Sequence, residues 1–148
     1  MILSADTNLF LYAANPDSPH HESARAFLEM ETAGRQRFLL CGLVLVEIYM
    51  QLRNPAVFRK PRSAAEAAGF CEALKSNSAW EYGDYEPEVA IPLWKWAAKS
   101  TAGFRHIIDA RLAFTLLHHG VTHFATANVM HFSGFGFGKV WNPLLSSS

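Results

Sequence analysis

The chain has 148 residues, half of them hydrophobic and 18% charged, with thirteen Lys and Arg set against thirteen Asp and Glu. That length suits one core rather than two, the apolar content excludes a disordered chain, and zero net charge leaves any polyanion to be held by a local basic patch. Cys41 and Cys71 are too few for a disulfide framework or a cysteine-built zinc site, no apolar run reaches the roughly 20 residues of a membrane span, and the start lacks a basic leader, so a cytoplasmic protein without membrane contact is expected.

Ile2 to Ala5 predicts a strand, and Asp6-Thr7-Asn8 hands it to a short helix over Leu9 to Ala14 that Asn15-Pro16 stops. Ser18-Pro19 has the form of an N-cap followed by proline at the first helical position, opening a helix that runs to Gly34. Phe38 to Cys41 reads as a buried strand, and after Gly42 a helix over Leu43 to Leu52 carries Glu47 and stops at Asn54-Pro55. Ser63-Ala64-Ala65-Glu66 predicts a capping box opening a helix through Leu74, with Trp80 to Tyr82 as a further strand.

Pro87 to Ser100 is helical in composition, but Pro92 is expected to end or kink its first turn. Gly103 separates it from a stronger helix over about His106 to His119, which Gly120 terminates. Thr122 to Ala125 predicts a strand, Asn128 to Phe132 a turn or short helix, Gly134 to Gly138 a loop and Val140-Trp141 a last strand. Strands alternating with helices predict an α/β fold with a mainly parallel central sheet and helices on both faces, as a single domain over 1–145 with a frayed tail over 146–148.

Three carboxylates stand in apolar frames: Asp6 after Ile2-Leu3-Ser4-Ala5, Glu47 within Leu43 to Ile48, and Asp109 after Ile107-Ile108. Acids are seldom buried without a partner, and two carboxylates about 4 Å apart repel by roughly 4 kcal/mol at an effective dielectric near 20. If they meet at the carboxyl edge of the sheet, they require protons or a divalent cation with a taste for oxygen, such as Mg²⁺ or Mn²⁺. Each acid also fits a purely structural role, Asp6 as a helix cap, Asp109 in a first helical turn, and Glu47 with Gln51 and Asn54 on a solvated stripe.

The ordered series Asp6-Thr7-Asn8 with Tyr12, Glu47 in a helix ended by Asn54-Pro55, Asp109-Ala110-Arg111-Leu112-Ala113, Ala125-Thr126-Ala127-Asn128 and Asn142-Pro143-Leu144 resembles the PIN domains of the VapC toxin type over nearly the whole chain. The resemblance implies a PIN-like three-layer α/β/α fold and a metal-dependent endoribonuclease, the toxin of a toxin–antitoxin pair. It implies Asp6, Glu47 and Asp109 as ligands of Mg²⁺, with Mn²⁺ as a substitute, Asn128 as a further catalytic residue, and Asn8 and Thr126 as donors that fix the acids. It also implies a cognate antitoxin, RNA as substrate and a homodimer. The family often has aspartate where Asn128 and His131 stand, so this chain carries less negative charge there.

Arg53, Arg59, Lys60 and Arg62 lie in one acid-free segment beyond the Glu47 helix and are the candidates for contact with RNA phosphates, followed by Arg105 and Arg111; a plain polar connector accounts for the segment equally simply. His106 stands three residues before Asp109, on the same helical face, where it can be a metal partner or only a polar helix start. His118 and His119 fit the negative end of a helix dipole. Gly134 to Lys139 lacks the ending of a phosphate loop, and its phenylalanines can either stack on bases or fill a sheet edge. Two rivals remain beside the nuclease: a PIN-like module that binds RNA or protein after losing catalysis, and a small-molecule phosphohydrolase using the same acids.

Overall fold

In the computed structural model, which describes residues 1–34 and 36–145, each strand but the last is followed by one or more helices before the next strand. Strand β1 (Ile2–Ala5) leads into helix α1 (Thr7–Ala14), followed by α2 (His21–Ala33), β2 (Arg37–Cys41), α3 (Gly42–Leu52), α4 (Ala64–Lys75) and β3 (Glu81–Gly83). A single 3₁₀ turn (Pro87–Val89) then opens α5 (Ala90–Lys99), and α6 (His106–His118), β4 (His123–Ala125), α7 (Val129–Phe132) and β5 (Lys139–Trp141) complete the chain.

The five strands form one sheet in the order β3-β2-β1-β4-β5, every neighbouring pair parallel. Parallel strands need covered faces and crossover helices. Here α1 packs on α2 and α3, and α3 on α4, as one layer, while α5 packs on α6 and α6 on α7 as the other. Leu9, Leu40, Val44, Ile48, Leu116 and Phe124 are fully buried between these layers and the sheet. The chain builds outward from β1 through β2 to β3, then returns to add β4 and β5 on the other side, so the switch in direction falls between β1 and β4. Ligand sites of open α/β sheets lie at that crevice, beyond the carboxyl ends of the strands.

Local chemistry explains most element boundaries. Ser63 and Glu66 form the expected capping box, the Ser63 Oγ accepting from the Glu66 amide at 3.2 Å and the Glu66 carboxylate accepting from the Ser63 amide at 3.1 Å. Helix α6 ends with Gly120 at φ +86°, the Gly120 amide donating to the Leu117 carbonyl and the Val121 amide to Leu116, each at 3.0 Å. That left-handed turn closes the last carbonyls and suits glycine.

Two boundaries differ from expectation. Ser18 does not cap α2; its Oγ accepts from the His20 amide at 3.1 Å, and the helix begins at His21. Pro92 does not break α5, because the helix restarts at Ala90 and Pro92 falls in its first turn, where the amide that proline lacks has no helical acceptor to lose. The tail over 146–148, expected to fray, lies outside the described residues. Among the described residues no helix is long and apolar enough to cross a membrane.

Candidate active site

Asp6 is the residue at which β1 becomes α1, and it is 6% exposed. The Asp6 amide donates to the Ala125 carbonyl at 2.9 Å, extending the β1–β4 ladder by one step and fixing the carboxyl group over the switch point. One carboxylate oxygen accepts from the Thr7 amide at 2.8 Å, so Asp6 is an N-cap as its sequence allows; the other accepts from Thr126 Oγ1 at 2.7 Å. Thr126 is fully buried just past β4, and its Oγ1 also accepts from the Asn128 amide at 2.9 Å.

Glu47 enters from α3. Its Oε2 accepts from the Thr7 hydroxyl at 3.0 Å, which places the carboxylate beside the start of α1 and half-buried rather than on a solvated stripe. Asp109 comes from the first turn of α6, its side chain 31% exposed and its Oδ2 3.1 Å from His106 Nδ1 and 3.8 Å from His131 Nδ1. Asn128 is exposed at the start of α7. Asn8 accepts from the Ala127 amide at 3.4 Å and so ties the loop after β4 to α1 instead of touching an acid.

The acids lack positive charge. Burial pushes the Asp6 carboxyl above the ordinary carboxylate range against the pull of its Thr126 and Thr7 hydrogen bonds, and Asp109 pushes it further. Burial likewise raises Glu47, opposed by the Thr7 hydroxyl and reinforced by Asp6 and Asp109. The three acids therefore feel one another across the crevice. Neither Asp6 nor Glu47 has a lysine or arginine among the charges acting on it; besides the Thr126 and Thr7 hydrogen bonds, His131 draws Asp6 weakly toward ionisation. Carboxylates that repel one another across a crevice and are short of positive charge fit a hard divalent cation.

These features have counterparts in known proteins. Residues 5–133 match the family model described as PIN domain, and the chain is 46% identical over 145 residues to ribonuclease VapC24 of Mycobacterium tuberculosis, covering 98% of this chain and 99% of the relative. This chain belongs to the PIN-domain family of VapC proteins. Its fold is shared by VapBC2 of Rickettsia felis bound to a promoter DNA fragment, with TM-score 0.66, 16% identity and coverage of 96% of this chain and 98% of that one. It is shared also by the sarcin–ricin-loop-cleaving toxin VapC20 of Mycobacterium tuberculosis, with TM-score 0.64, 15% identity and coverage of 82% and 86%.

In this PIN domain the basic segment does not join the acids. Arg59, Lys60 and Arg62 line a cavity with Ala14, at the end of α1 opposite Asp6, about 12 Å along an eight-residue helix. There Arg59 lies 3.9 Å from Asp17, and Arg62 stacks over Phe70, while Arg53 donates to the Tyr49 hydroxyl at 3.1 Å. Arg105 instead lines a cavity of about 530 Å³ together with Phe104, His106, Asp109, Met130 and His131. Arg111 is stacked on Tyr85 at 4.1 Å.

The glycine-loop phenylalanines are structural. Phe137 stacks on buried Phe124 with centroids 5.3 Å apart, and Phe135 packs among His106, Phe114 and Phe132. His118 Nε2 lies 2.9 Å from Glu86 at the end of α6, and with Glu88 these form an exposed trio whose ligand atoms lie within 4.8 Å of one another. Sequence reasoning missed that trio because Glu86 precedes and Glu88 lies within a 3₁₀ turn about thirty residues before α6 ends. No spacing rule links the two.

Proposed function

We propose that this PIN domain is an endoribonuclease that hydrolyses RNA phosphodiester bonds with a divalent cation, Mg²⁺ or Mn²⁺, held by Asp6, Glu47 and Asp109. The observation that carries this reading is the mutual repulsion of three carboxylates about the β1–β4 switch point, two of them raised chiefly by burial. The name of the relative VapC24, a ribonuclease, supports it. When bound, the cation would polarise a water and offset charge on the phosphodiester.

The chain's own residues prepare that chemistry. Thr126 and the Thr7 amide hold Asp6 in one orientation, and the Thr7 hydroxyl holds Glu47, so the acids are set before substrate arrives. Asn128, whose amide is fastened to Thr126, presents a neutral side chain at the rim, able to orient the attacking water or a phosphate oxygen. Arg105 brings positive charge to the cavity that Asp109 lines, and Arg53, Arg59, Lys60 and Arg62 serve more distant phosphates. The bond broken is that from phosphorus to the leaving 3′ oxygen, and water supplies the new oxygen.

We further infer that the chain is a cytoplasmic toxin working as one domain over 1–145, paired with a cognate antitoxin and forming a homodimer. Exposed Val46 and Met50 on α3 and Ile91 and Trp94 on α5 offer apolar surface for such partners.

The test is incubation of the antitoxin-free protein with a pool of structured RNAs in Mg²⁺, Mn²⁺ or EDTA, alongside Asp6→Asn, with circular dichroism as a fold check. Discrete fragments that require the cation and vanish in the variant are expected. Cleavage equal in both proteins would remove Asp6 from the site. RNA binding that survives EDTA and Asp6→Asn without any cleavage would instead establish the non-catalytic binding module, the reading favoured by the neutral Asn128 and by His131 at positions where related proteins often carry aspartate.

A further inference from the structure

We propose that Phe104 and Met130 grip one unpaired base of the RNA in the cavity that Asp109 lines, so that a neighbouring phosphate is delivered to the acids and a fully paired strand is refused. This rests on the ribonuclease reading above and names its substrate class, RNA with an unpaired nucleotide at the cut.

Phe104 is 85% and Met130 86% exposed, the highest values of any large hydrophobic side chain among the described residues. Single apolar side chains on a surface are ordinary, but these two come from different elements and border one space. Phe104 stands in the loop before α6 and Met130 on α7, and both line the cavity of about 530 Å³ that Arg105 and Asp109 also line. That size falls within the roughly 300–1,000 Å³ of pockets that take small ligands. Helix α7 turns Phe132 into the core, 2% exposed, and leaves Met130 outside, so neither Met130 nor Phe104 contributes to the core. Ala102 and Gly103 keep the loop wall thin, and a Cβ on Gly103 would meet nothing within 4 Å.

The chemistry fits a nucleotide. An aromatic ring open at the surface offers its face to a base, and stacking of that kind tolerates any sequence because every base has a π face. A thioether beside it is flexible enough to close over bases of different size. The Arg105 guanidinium lies 5.5 Å from the centre of the Phe104 ring, so positive charge sits next to the apolar plate, and Asp109 follows one helical turn further on. Plate, cation and carboxylate thus come in the order that a base, its phosphate and the cleaved bond require. A base inside an A-form duplex keeps its faces stacked on its neighbours and cannot enter. A protein partner fits less well, because the centres of protein interfaces are depleted of charge and Arg105 and Asp109 interrupt the apolar surface here.

The test compares oligouridine, whose bases stack little on one another, with an abasic oligomer of the same length and charge, by filter binding to the full chain in EDTA across a range of salt. The parent should prefer oligouridine. Phe104→Ala should lose roughly five- to a hundredfold on oligouridine and nothing on the abasic oligomer. Its salt slope should match the parent's, whereas Arg105→Ala should make the slope shallower by about 0.7. Phe104→Trp should keep the preference for bases, and Phe104→Leu, apolar but without a ring, should not. Met130→Ala should lose several-fold on oligouridine alone, and oligouridine annealed to oligoadenosine should bind Phe104→Ala and the parent alike. Both side chains are exposed, so circular dichroism of the variants should match the parent.

Equal affinity of the parent for the two oligomers overturns the base site, as does a loss in Phe104→Ala that falls equally on both. Unchanged RNA binding in Phe104→Ala with weakened self-association in sedimentation assigns the patch to a second copy of the chain and overturns it too. Each of these results leaves the ribonuclease reading standing where Asp6→Asn abolishes cation-dependent cleavage. A base preference that Phe104→Ala removes, in a protein whose cleavage is indifferent to Asp6→Asn, supports the base site and removes the ribonuclease reading instead.

Discussion

Thr126 Oγ1 donates to Asp6 Oδ2 at 2.7 Å across 120 positions of sequence, and it accepts from the Asn128 amide at 2.9 Å in the same geometry. One buried hydroxyl therefore joins the end of β1, the end of β4 and the start of α7. Thr126→Val keeps the volume and removes both bonds, leaving a buried carboxylate oxygen and an amide short of partners. Stability should fall by about 1–3 kcal/mol in urea melts, and divalent-cation affinity by roughly 10- to 100-fold in calorimetric titration, with Thr126→Ser close to the parent. A Thr126→Val protein that binds cation normally would mean that Asp6 is oriented by other means.

The raised carboxyls of Asp6 and Glu47 make a signed prediction about pH. Below about pH 4, folded and unfolded chains both hold these protons and the groups contribute no difference. As pH rises, the unfolded chain ionises first, so these groups cost the folded state stability through the interval up to their raised folded values, and the cost then persists. In EDTA, Asp6→Asn and Glu47→Gln should be more stable than the parent at pH 7 and lose that advantage below about pH 4. Mg²⁺ at a hundredfold excess over its dissociation constant should return about 2.7 kcal/mol to the parent at pH 7. Urea midpoints across pH check both statements, and a pH-independent difference would contradict the first.

The sequence carried the parts of this fold that local chemistry controls. The capping box at Ser63, the apolar runs of β1 and β2 and the glycine stop of α6 depend on neighbours a few residues away, and each forms where expected. Asp6 and Asp109 were legible because an acid in an apolar frame is costly without a purpose. Distance from the acids was not legible. Arg53 follows Glu47 closely in sequence, but helix α3 spends those six residues on about 9 Å of rise, carrying the basic segment away from the acids. Arg105 stands four residues before Asp109 at the start of the same helix, but His131 comes to Asp109 only because α6 and α7 flank β4, which no spacing within the chain announces.

Gly120 offers a test of the fold apart from the site. Its φ of +86° is left-handed, and a Cβ there would lie 3.3 Å from the Ile2 Cδ1. Gly120→Ala should cost about 1–2 kcal/mol, through backbone strain and displacement of the β1 side chain, without altering cation affinity. Chemical denaturation beside calorimetry separates the two; an equal fall in cation affinity would show that the end of α6 is coupled to its start.

The two sets of cations should also part company in their dependence on salt. For every phosphate that a variant no longer neutralises, the slope of log affinity against log salt becomes shallower by about 0.7 on single-stranded RNA. Arg59 and Lys60 are surface cations at the far end of α1, so Arg59→Ala and Lys60→Ala should each weaken RNA binding several-fold, reduce that slope, and leave the single-turnover cleavage rate of bound RNA unchanged. Arg105 shares its cavity with Asp109, so Arg105→Ala should slow the cleavage of RNA already bound as well as weaken binding. Single-turnover rates at saturating protein, compared with filter binding across salt, distinguish the two. A cleavage defect in Lys60→Ala equal to that of Arg105→Ala would place the scissile phosphate nearer the end of α1 than the acids allow.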